Sequence, residues 1–173
     1  MGRWTDVGPG EAPPDDLYAL VEVAQGSRLK HEADLAAGVL RLSRVLPLGL
    51  AYPVSYGCLP AIPGKDGDPL DVLVLASAPL LPGTLVRVRP VGELRLRDEG
   101  EDDAKLLGAC LGDPLTKSWR RLGDVDGRLL EGVADFFRVY KRAEGEQDEV
   151  RVLGWRDEDA ARSRVVEALA APL

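Results

Sequence analysis

The stretch GKDGDPLDVLVL, residues 64–75, places three aspartates within six positions and then continues as a wholly apolar run. Residues 72–75 have the pattern of a short strand that is buried on both faces. Asp66, Asp68 and Asp71 therefore stand at the entrance to a core strand. Two carboxylates about 4 Å apart repel each other by about 4 kcal/mol at an effective dielectric constant near 20, so a cluster of them requires cations.

A turn explains part of this stretch, because Asp, Gly and Pro each favour turns, but it does not explain Asp71. An EF-hand is excluded, because its loop positions 5, 6 and 12, counted from Asp66, hold Leu70, Asp71 and Ser77. A phosphotransferase nucleophile is disfavoured, because it would follow a parallel strand, whereas here the strand follows the aspartates. Oxygen ligands without His or Cys indicate a site for a hard cation, Mg²⁺ or Mn²⁺.

Alternating apolar and polar residues predict the strands around this stretch. A turn-bounded strand candidate lies within residues 25–38, and residues 84–97 form a long strand with a bulge at Pro90 and Gly92. Prolines make residues 51–63 an irregular loop, and residues 98–103 form an acidic turn. The other predicted strands are residues 17–23, 38–45, 72–75 and 104–110.

Helical spacing of apolar residues begins only after residue 113. One predicted helix covers residues 128–142, and a final helix follows Asp157, whose carboxylate caps it. Strands followed by helices predict an α+β fold, in which a small closed barrel would remove sheet edges. We expect a single catalytic domain, residues 1–173, with residues 1–16 as an extended arm. The predicted inward residues of the helices are Leu130, Val133, Phe137 and Tyr140, then Ala161, Val165 and Leu169.

The composition disfavours several classes of function. A net charge of -7 argues against DNA or RNA as a partner, because nucleic-acid affinity comes mainly from clustered basic residues. No apolar run approaches the roughly 18 to 20 residues of a membrane span, and the N-terminus lacks the apolar core of a signal sequence. We therefore expect a cytoplasmic protein without a membrane partner. Its two cysteines, Cys58 and Cys110, are expected to be reduced.

A second acidic group, DEGEDDAK at residues 98–105, is by default a solvated turn, and Glu22 and Glu32 are isolated strand glutamates. The nearby basic residues and tyrosines are, taken singly, surface charges or core contacts. Together, carboxylates, cations and tyrosine hydroxyls suit a phosphate compound complexed with metal. Metals bridge the acids to phosphate oxygens, while Lys and Arg hold the oxygens left over.

The run DGDPLDVLV, residues 66–74, resembles the signature of soluble family I inorganic pyrophosphatases. The similarity covers about residues 15–170, and such ordered coverage is more specific than one motif. The further matching segments are EVAQGSRLKHE (22–32), SRVLPLGLAYPVSYG (43–57), PLLPGTLVRVRPVG (79–92), DEGEDDAK (98–105), FFRVYK (136–141) and GW (154–155).

The resemblance implies a fold and a reaction. The implied fold is a five-stranded closed β-barrel of the OB type, with additional short strands and two main helices packed outside it toward the C-terminus. The implied reaction is hydrolysis of inorganic pyrophosphate, bound as its Mg²⁺ complex, to two orthophosphates. About three to four Mg²⁺ ions per site are expected, with Mn²⁺ or Zn²⁺ as substitutes.

The resemblance also assigns roles to residues of this sequence. Asp66, Asp71 and Asp103 would bind the first metal, and Asp71 would bridge to a second. The attacking water would lie between those metals, and Asp68 would accept its proton. Asp98 with Asp103 would bind a further metal, and Glu32, with Glu22 through water, would help to bind another.

The resemblance also implies residues that bind the substrate and line the cleft. Among the substrate residues, Lys30, Arg44 and Tyr56 also count as catalytic, and Tyr52 and Glu99 would line the cleft. The full set of substrate residues is Lys30, Arg44, Tyr56, Lys105, Tyr140 and Lys141.

The sequence departs from the family pattern at several places and leaves alternatives open. His31 stands where tyrosine is common, and Ser55 where asparagine is common. Bacterial members are commonly hexamers with histidines on the long helix, but Asp135 and Val139 occupy those places, so we expect a homo-oligomer of open size. The alternatives are a metal-dependent phosphoanhydride hydrolase acting on nucleotides, disfavoured by few spare aromatics, and an OB-type binding module or inactive relative.

Overall fold

The computed structural model describes residues 3–98, 100–141 and 150–170. Within these residues the chain forms eight strands and two α-helices, in agreement with the predicted α+β class. The strands are β1 (Leu17–Val23), β2 (Leu29–Asp34), β3 (Val39–Val45), β4 (Ser55–Pro63), β5 (Pro69–Leu75), β6 (Leu85–Asp98), β7 (Glu101–Cys110) and β8 (Arg151–Arg156), and the helices are α1 (Gly127–Val139) and α2 (Glu158–Ala170).

Six strands form one mixed sheet in the order β1, β4, β5, β7, β6, β8. β1 also pairs with β6, so β1, β4, β5, β7 and β6 each have a hydrogen-bonded neighbour on both sides. β5 and β7 run parallel, whereas the other pairings of the named strands are antiparallel. β2 and β3 form a separate hairpin, and the β6–β7 register shifts between Pro90 and Gly92, as the predicted bulge requires.

Alternate residues of β5 enter two different cores, which confirms that the apolar run of residues 72–75 is buried on both faces. One core is covered by α1 and the other by α2. A strand held from both sides is a rigid support for Asp71, which is its third residue. Leu73 and Leu75 pack in the core that holds Phe136 and Phe137, and Val72 and Val74 pack in the core that holds Ala161 and Val165.

Residues 55–63 form strand β4, so the irregular loop predicted for residues 51–63 is wrong over that part. Pro60 and Pro63 fall in the irregular part of the β4–β5 ladder, where a missing N–H donor is tolerated. Gly57 lets β4 approach β1 closely, because a Cβ at that position would overlap the carbonyl oxygen of Leu20. The prolines therefore mark the end of a strand rather than a loop.

The acidic turn is shorter than the predicted residues 98–103, because β6 extends to Asp98 and β7 begins at Glu101. Gly100 has a φ of 86°, a conformation that glycine adopts without strain. Glu99 lies outside the described residues. The two strand ends place Asp98 and Asp103 on defined backbone rather than on a loop.

The C-terminal part differs from the prediction at three places. Strand β8 was not predicted; Gly154, with a φ of 115°, and a register shift against β6 interrupt its alternation. α1 ends at Val139 with Tyr140 as its C-cap, and residue 142 lies outside the described residues. Leu169, one residue before the end of α2, is 41% exposed rather than inward. Neither described helix is long and apolar enough to cross a membrane.

Residues 3–16 are not extended throughout, because residues 4–6 form a 3₁₀ turn that packs near β4. The N–H of Trp4 donates to the carbonyl of Leu35 at 3.1 Å. Asp16, which is 9% exposed, accepts two hydrogen bonds from the guanidinium of Arg87. The described part of the arm, residues 3–16, is therefore attached to the domain at Trp4 and at Asp16.

A buried ion pair fixes α2 on the sheet. The Glu93 carboxylate on β6 has no exposed surface and accepts two hydrogen bonds from the Arg164 guanidinium, one of them at 3.2 Å. Nη1 of Arg156, on β8, lies 3.6 Å from Oε1 of Glu93. One carboxylate thus joins β6, β8 and α2.

Candidate active site

Two carboxylates and one lysine meet at the entrance to the parallel strands. Val72 and Leu106 are register partners, so Asp71 and Lys105 precede them on adjacent strands and share a face. The Lys105 ammonium pairs with Asp71 and with Asp103, the latter at 2.7 Å. Burial lowers the pKa of Lys105, but the charges of Asp71 and Asp103 outweigh it and raise the pKa above its ordinary value. This lysine is therefore charged and holds two converging carboxylates.

Tyr56 brings a hydroxyl to Asp71 from β4. Burial and then the charge of Asp71 raise the pKa of Tyr56 well above its ordinary value, so the hydroxyl stays protonated and donates to that carboxylate. The Tyr56 ring packs against Tyr52 at 5.4 Å between centroids, and Tyr52 packs against Phe136 of α1 at 4.8 Å. Tyr52 is 2% exposed and supports the wall rather than the open surface of the cleft.

Asp98 and Lys141 form a second ion pair near the group of Asp71, Asp103 and Lys105, with 2.6 Å between Lys141 Nζ and Asp98 Oδ1. Tyr140 lies among these charges. Burial raises the pKa of Tyr140, while Lys105, Lys141 and Arg44 lower it, and the net shift is upward. The residue after the α1 C-cap, strand β7 and the β2–β3 hairpin thus contribute cations to one place, and the end of β6 contributes the Asp98 carboxylate.

Glu22 on β1 is 6% exposed and holds the β2–β3 hairpin against the sheet. Its Oε1 accepts the N–H of Ala33 at 2.7 Å, and its backbone carbonyl lies 3.2 Å from Nδ1 of His31, which must donate there. Burial raises the pKa of Glu22 to about 7, against the lowering effect of the Ala33 hydrogen bond. The charge of Asp71 contributes to this raised value, which places the Glu22 carboxylate near that of Asp71.

The hairpin presents Lys30, Glu32 and Arg44. Lys30 lies opposite Arg44 in the register, and its ammonium is 3.0 Å from Glu32 Oε1. Burial raises the pKa of Glu32, but the hydrogen bond and charge of Lys30, with Ser43 and Arg44, lower it below its ordinary value. The register shifts between Lys30 and His31, a bulge of the kind that re-aims side chains near functional sites.

Asp66 and Asp68 lie on an exposed turn before β5. The Asp68 N–H donates to Asp66 Oδ1 at 3.1 Å, and the Asp68 carbonyl accepts the Gly64 N–H at 2.6 Å. These bonds fix the backbone of the turn. Asp66 lines the cavity described next, whereas Asp68 is not among the residues that line it.

An open cavity of about 770 Å³ lies at the ends of β5 and β7. In the described part of the chain, no three Asp, Glu, His or Cys side chains are already arranged to hold a metal ion. The donor set still fits Mg²⁺, because all candidate ligands are carboxylates and two of them converge on one ammonium group. Five predicted residues line the cavity: Asp66, Asp71, Asp98, Asp103 and Lys105.

Several residues of this region were not assigned from the sequence. The buried thiol of Cys58 contacts the Glu22 carboxylate, and its pKa is raised by burial and by the charges of Glu22 and Asp71. Cys58 on β4 is the register partner of Asp71 on β5. Because residues 51–63 were predicted to be a loop, no strand pairing could place Cys58 opposite Asp71. Arg164 and Glu167 of α2 also line the cavity, and nothing local in the sequence relates them to β5.

The fold and the site define a class of protein: a β-rich α+β domain with a cleft of carboxylate, lysine and arginine side chains. Such a cleft suits an anion complexed with metal ions. A family model described as inorganic pyrophosphatase matches residues 19–171. The inorganic pyrophosphatase of Thermus thermophilus is 40% identical over 171 residues, covering 98% of each chain, and that of Haloferax volcanii is 36% identical over 169 residues, covering 98% of this chain and 95% of the relative.

Solved structures agree with these relatives. A crystal structure of inorganic pyrophosphatase from Thermus thermophilus superposes with a TM-score of 0.92 at 38% identity, covering 98% of both chains. A structure of an inorganic pyrophosphatase from Coxiella burnetii gives 0.88 at 34% identity, covering 94% of this chain and 98% of that one. The chain belongs to the inorganic pyrophosphatase family.

Proposed function

We propose that this chain is a Mg²⁺-dependent inorganic pyrophosphatase, which hydrolyses pyrophosphate to two orthophosphates by direct attack of water. The observation that supports this most is the meeting of Asp71, Asp103 and Lys105, with the Tyr56 hydroxyl on Asp71. Carboxylates for a hard cation and donors for phosphate oxygens are the two things that the reaction needs. Family membership supports the choice of substrate.

The proposed metal residues are those that the resemblance to the pyrophosphatase family implies, and they are all carboxylates. Asp66, Asp71 and Asp103 would hold the first Mg²⁺, and Asp98, Glu32 and Glu22 would help to hold further ions, about three to four in all. Bound Mg²⁺ supplies charge neutralisation for phosphate oxygens and a lowered pKa for coordinated water. Carboxylate oxygens also accommodate Mn²⁺, and Zn²⁺ is a further substitute.

The chain's own cations and hydroxyls would orient the substrate. Lys105 and Lys141 are each paired with a carboxylate, so binding exchanges those partners for phosphate oxygens. Lys30 and Arg44 would approach from the hairpin, and Tyr56 and Tyr140 would donate hydrogen bonds as neutral hydroxyls. Asp68 would accept the proton of the attacking water from its exposed turn.

The wider context is part of the proposal. The strands β1, β4, β5, β7 and β6, each paired on both sides, are consistent with a closed barrel of the OB type. We propose a cytoplasmic enzyme that acts on pyrophosphate as its Mg²⁺ complex, as one domain and as a homo-oligomer, without nucleic-acid or membrane partners. At the positions of the expected interface histidines, Asp135 pairs with Arg138 and Val139 is 45% exposed.

Phosphate release by the purified protein tests the proposal. We expect two phosphates per pyrophosphate with Mg²⁺, no release in EDTA, and inhibition by Ca²⁺ or fluoride. ATP at the same concentration should give little phosphate. Faster release from ATP would favour the nucleotide hydrolase, and a folded protein that releases nothing from either compound would favour a binding module.

A further inference from the structure

Two arginine side chains at the far end of β6 share the same acceptors. Nη1 of Arg89 lies 2.9 Å from the carbonyl oxygen of Lys117 and 3.4 Å from that of Trp119. Nη1 of Arg120 lies 2.9 and 3.1 Å from the same two oxygens. The two guanidinium nitrogens are therefore within about 6 Å of each other, a range in which like charges repel.

No described carboxylate pairs with either guanidinium. The acids close enough to affect Arg89 are Asp15 and Asp16. Asp16 is bound by Arg87, and Asp15 lies 2.7 Å from Nε of Arg162. Beside Arg120, the Asp124 carboxylate accepts the backbone N–H of Arg120 at 2.7 Å, but its ion pair is with Arg121. Each of these three acids has another arginine as its side-chain partner, so within the described residues neither the Arg89 nor the Arg120 guanidinium has an ion-paired carboxylate.

The pKa of Arg89 agrees with the absence of an ion-paired carboxylate among the described residues. Burial and then the charge of Arg120 lower the pKa of Arg89 below its ordinary value, and the opposing charges of Asp15 and Asp16 do not reverse that shift. The exposed side chain of Lys117 adds a positive charge to the same segment. A locally basic patch on a chain of net charge -7 has a direct use if an anion binds there.

We propose that Arg89 and Arg120 form a binding site for a small tetrahedral oxyanion, either inorganic phosphate or the phosphate of a monoester. Each guanidinium offers a planar fork that matches two phosphate oxygens, and an anion between them removes their repulsion. The shared carbonyls of Lys117 and Trp119 hold the two forks together before the anion arrives.

This site is separate from the cleft. Arg89 is the register partner of Ala109 on β7, six residues along that strand from Asp103. At about 3.3 Å per residue, the two places are about 20 Å apart. The proposal does not rest on the proposed hydrolysis, because it concerns binding at different residues.

Titration of the arginine Nε–H signals by ¹H–¹⁵N NMR tests the site. Inorganic phosphate is added to the whole protein without Mg²⁺, at constant ionic strength. We expect the signals of Arg89 and Arg120 to shift together and to saturate. Arg120→Gln should raise the half-saturating concentration at Arg89 at least tenfold, whereas Arg121→Gln, the same charge change one residue on, should leave it unchanged.

A second variant, Arg89→Lys, tests the site even if Arg120→Gln disturbs the backbone around residue 120. Arg89→Lys keeps the charge but removes the fork, and the Arg120 signal should then lose most of its response. A titration with glycerol phosphate separates the sources, because tighter binding than inorganic phosphate assigns a monoester and weaker binding assigns the free anion. Shifts that do not saturate, or saturation that is equal in Arg120→Gln and Arg121→Gln, would overturn the proposal.

Discussion

Replacing Lys105 by methionine should destabilise the metal-free protein and leave the Mg²⁺-bound protein much less affected. The substitution keeps the length of the side chain but removes the ammonium between Asp71 and Asp103. Removing one partner of a fully buried ion pair costs about 3 to 5 kcal/mol. The two carboxylates are 29% and 30% exposed, so solvent screens part of their repulsion and we expect about 2 kcal/mol.

Thermal unfolding in EDTA and in saturating Mg²⁺ measures this effect. For a domain of this size, a loss of about 2 kcal/mol lowers the Tm by about 4 to 8 °C. Mg²⁺ supplies the charge that the lysine no longer supplies, so at least half of the loss should disappear when it is added. Lys117→Met, on an exposed side chain without a described ion pair, is the control and should change the free energy of unfolding by less than about 0.5 kcal/mol.

The reasoning about Lys105 would be refuted by an equal loss of Tm in EDTA and in Mg²⁺. That result would mean that the lysine stabilises the strands by packing rather than by neutralising carboxylates. A loss no larger than that of Lys117→Met would refute it as well. Turnover of Lys105→Met should fall under both readings, so activity alone does not separate them.

Three further predictions address other parts of the molecule. Asp68→Asn should lower the turnover of pyrophosphate by roughly 10² to 10⁴ with a changed pH profile, and an unchanged profile would remove Asp68 as the base. The pKa of Glu22 in the folded protein is raised to about 7 from 4.5, so the free energy of unfolding of the metal-free wild type should fall by up to about 3 kcal/mol as the pH rises from 4.5 to 7. Urea unfolding of Glu22→Gln should not show that fall. Arg164→Met should cost about 3 kcal/mol in the same assay by leaving the Glu93 carboxylate without its main partner, and Arg162→Met, whose partner Asp15 is half exposed, should cost less.

The sequence predicted the elements whose signals are local. Strand β1 has its predicted bounds, and the bulge of β6 falls at Pro90 and Gly92. Asp71 could be singled out because a carboxylate directly before a buried apolar run costs free energy unless a cation accompanies it. In the structure, Lys105 of a neighbouring strand pairs with Asp71, and the metal ion expected beside that carboxylate stays a prediction.

The missed features depend on partners that are distant in sequence. Strand β4 was hidden because its prolines are tolerated only where the ladder with β5 is irregular. Without β4 there was no register to place Cys58 opposite Asp71. Glu93 and Arg164 lie 71 residues apart, and no local pattern relates them. The role of Asp68 stays a prediction, because its carboxylate lies on an exposed turn outside the cavity.

The measurement that most directly tests the account compares phosphate release from pyrophosphate by the wild type and by Asp71→Asn over a range of Mg²⁺ concentrations. The account predicts Mg²⁺-dependent release by the wild type. In the variant, turnover should fall steeply and the Mg²⁺ concentration for half-maximal rate should rise, with the fold intact by circular dichroism. A variant with wild-type turnover and Mg²⁺ dependence would contradict the assignment of the cleft as the site of hydrolysis.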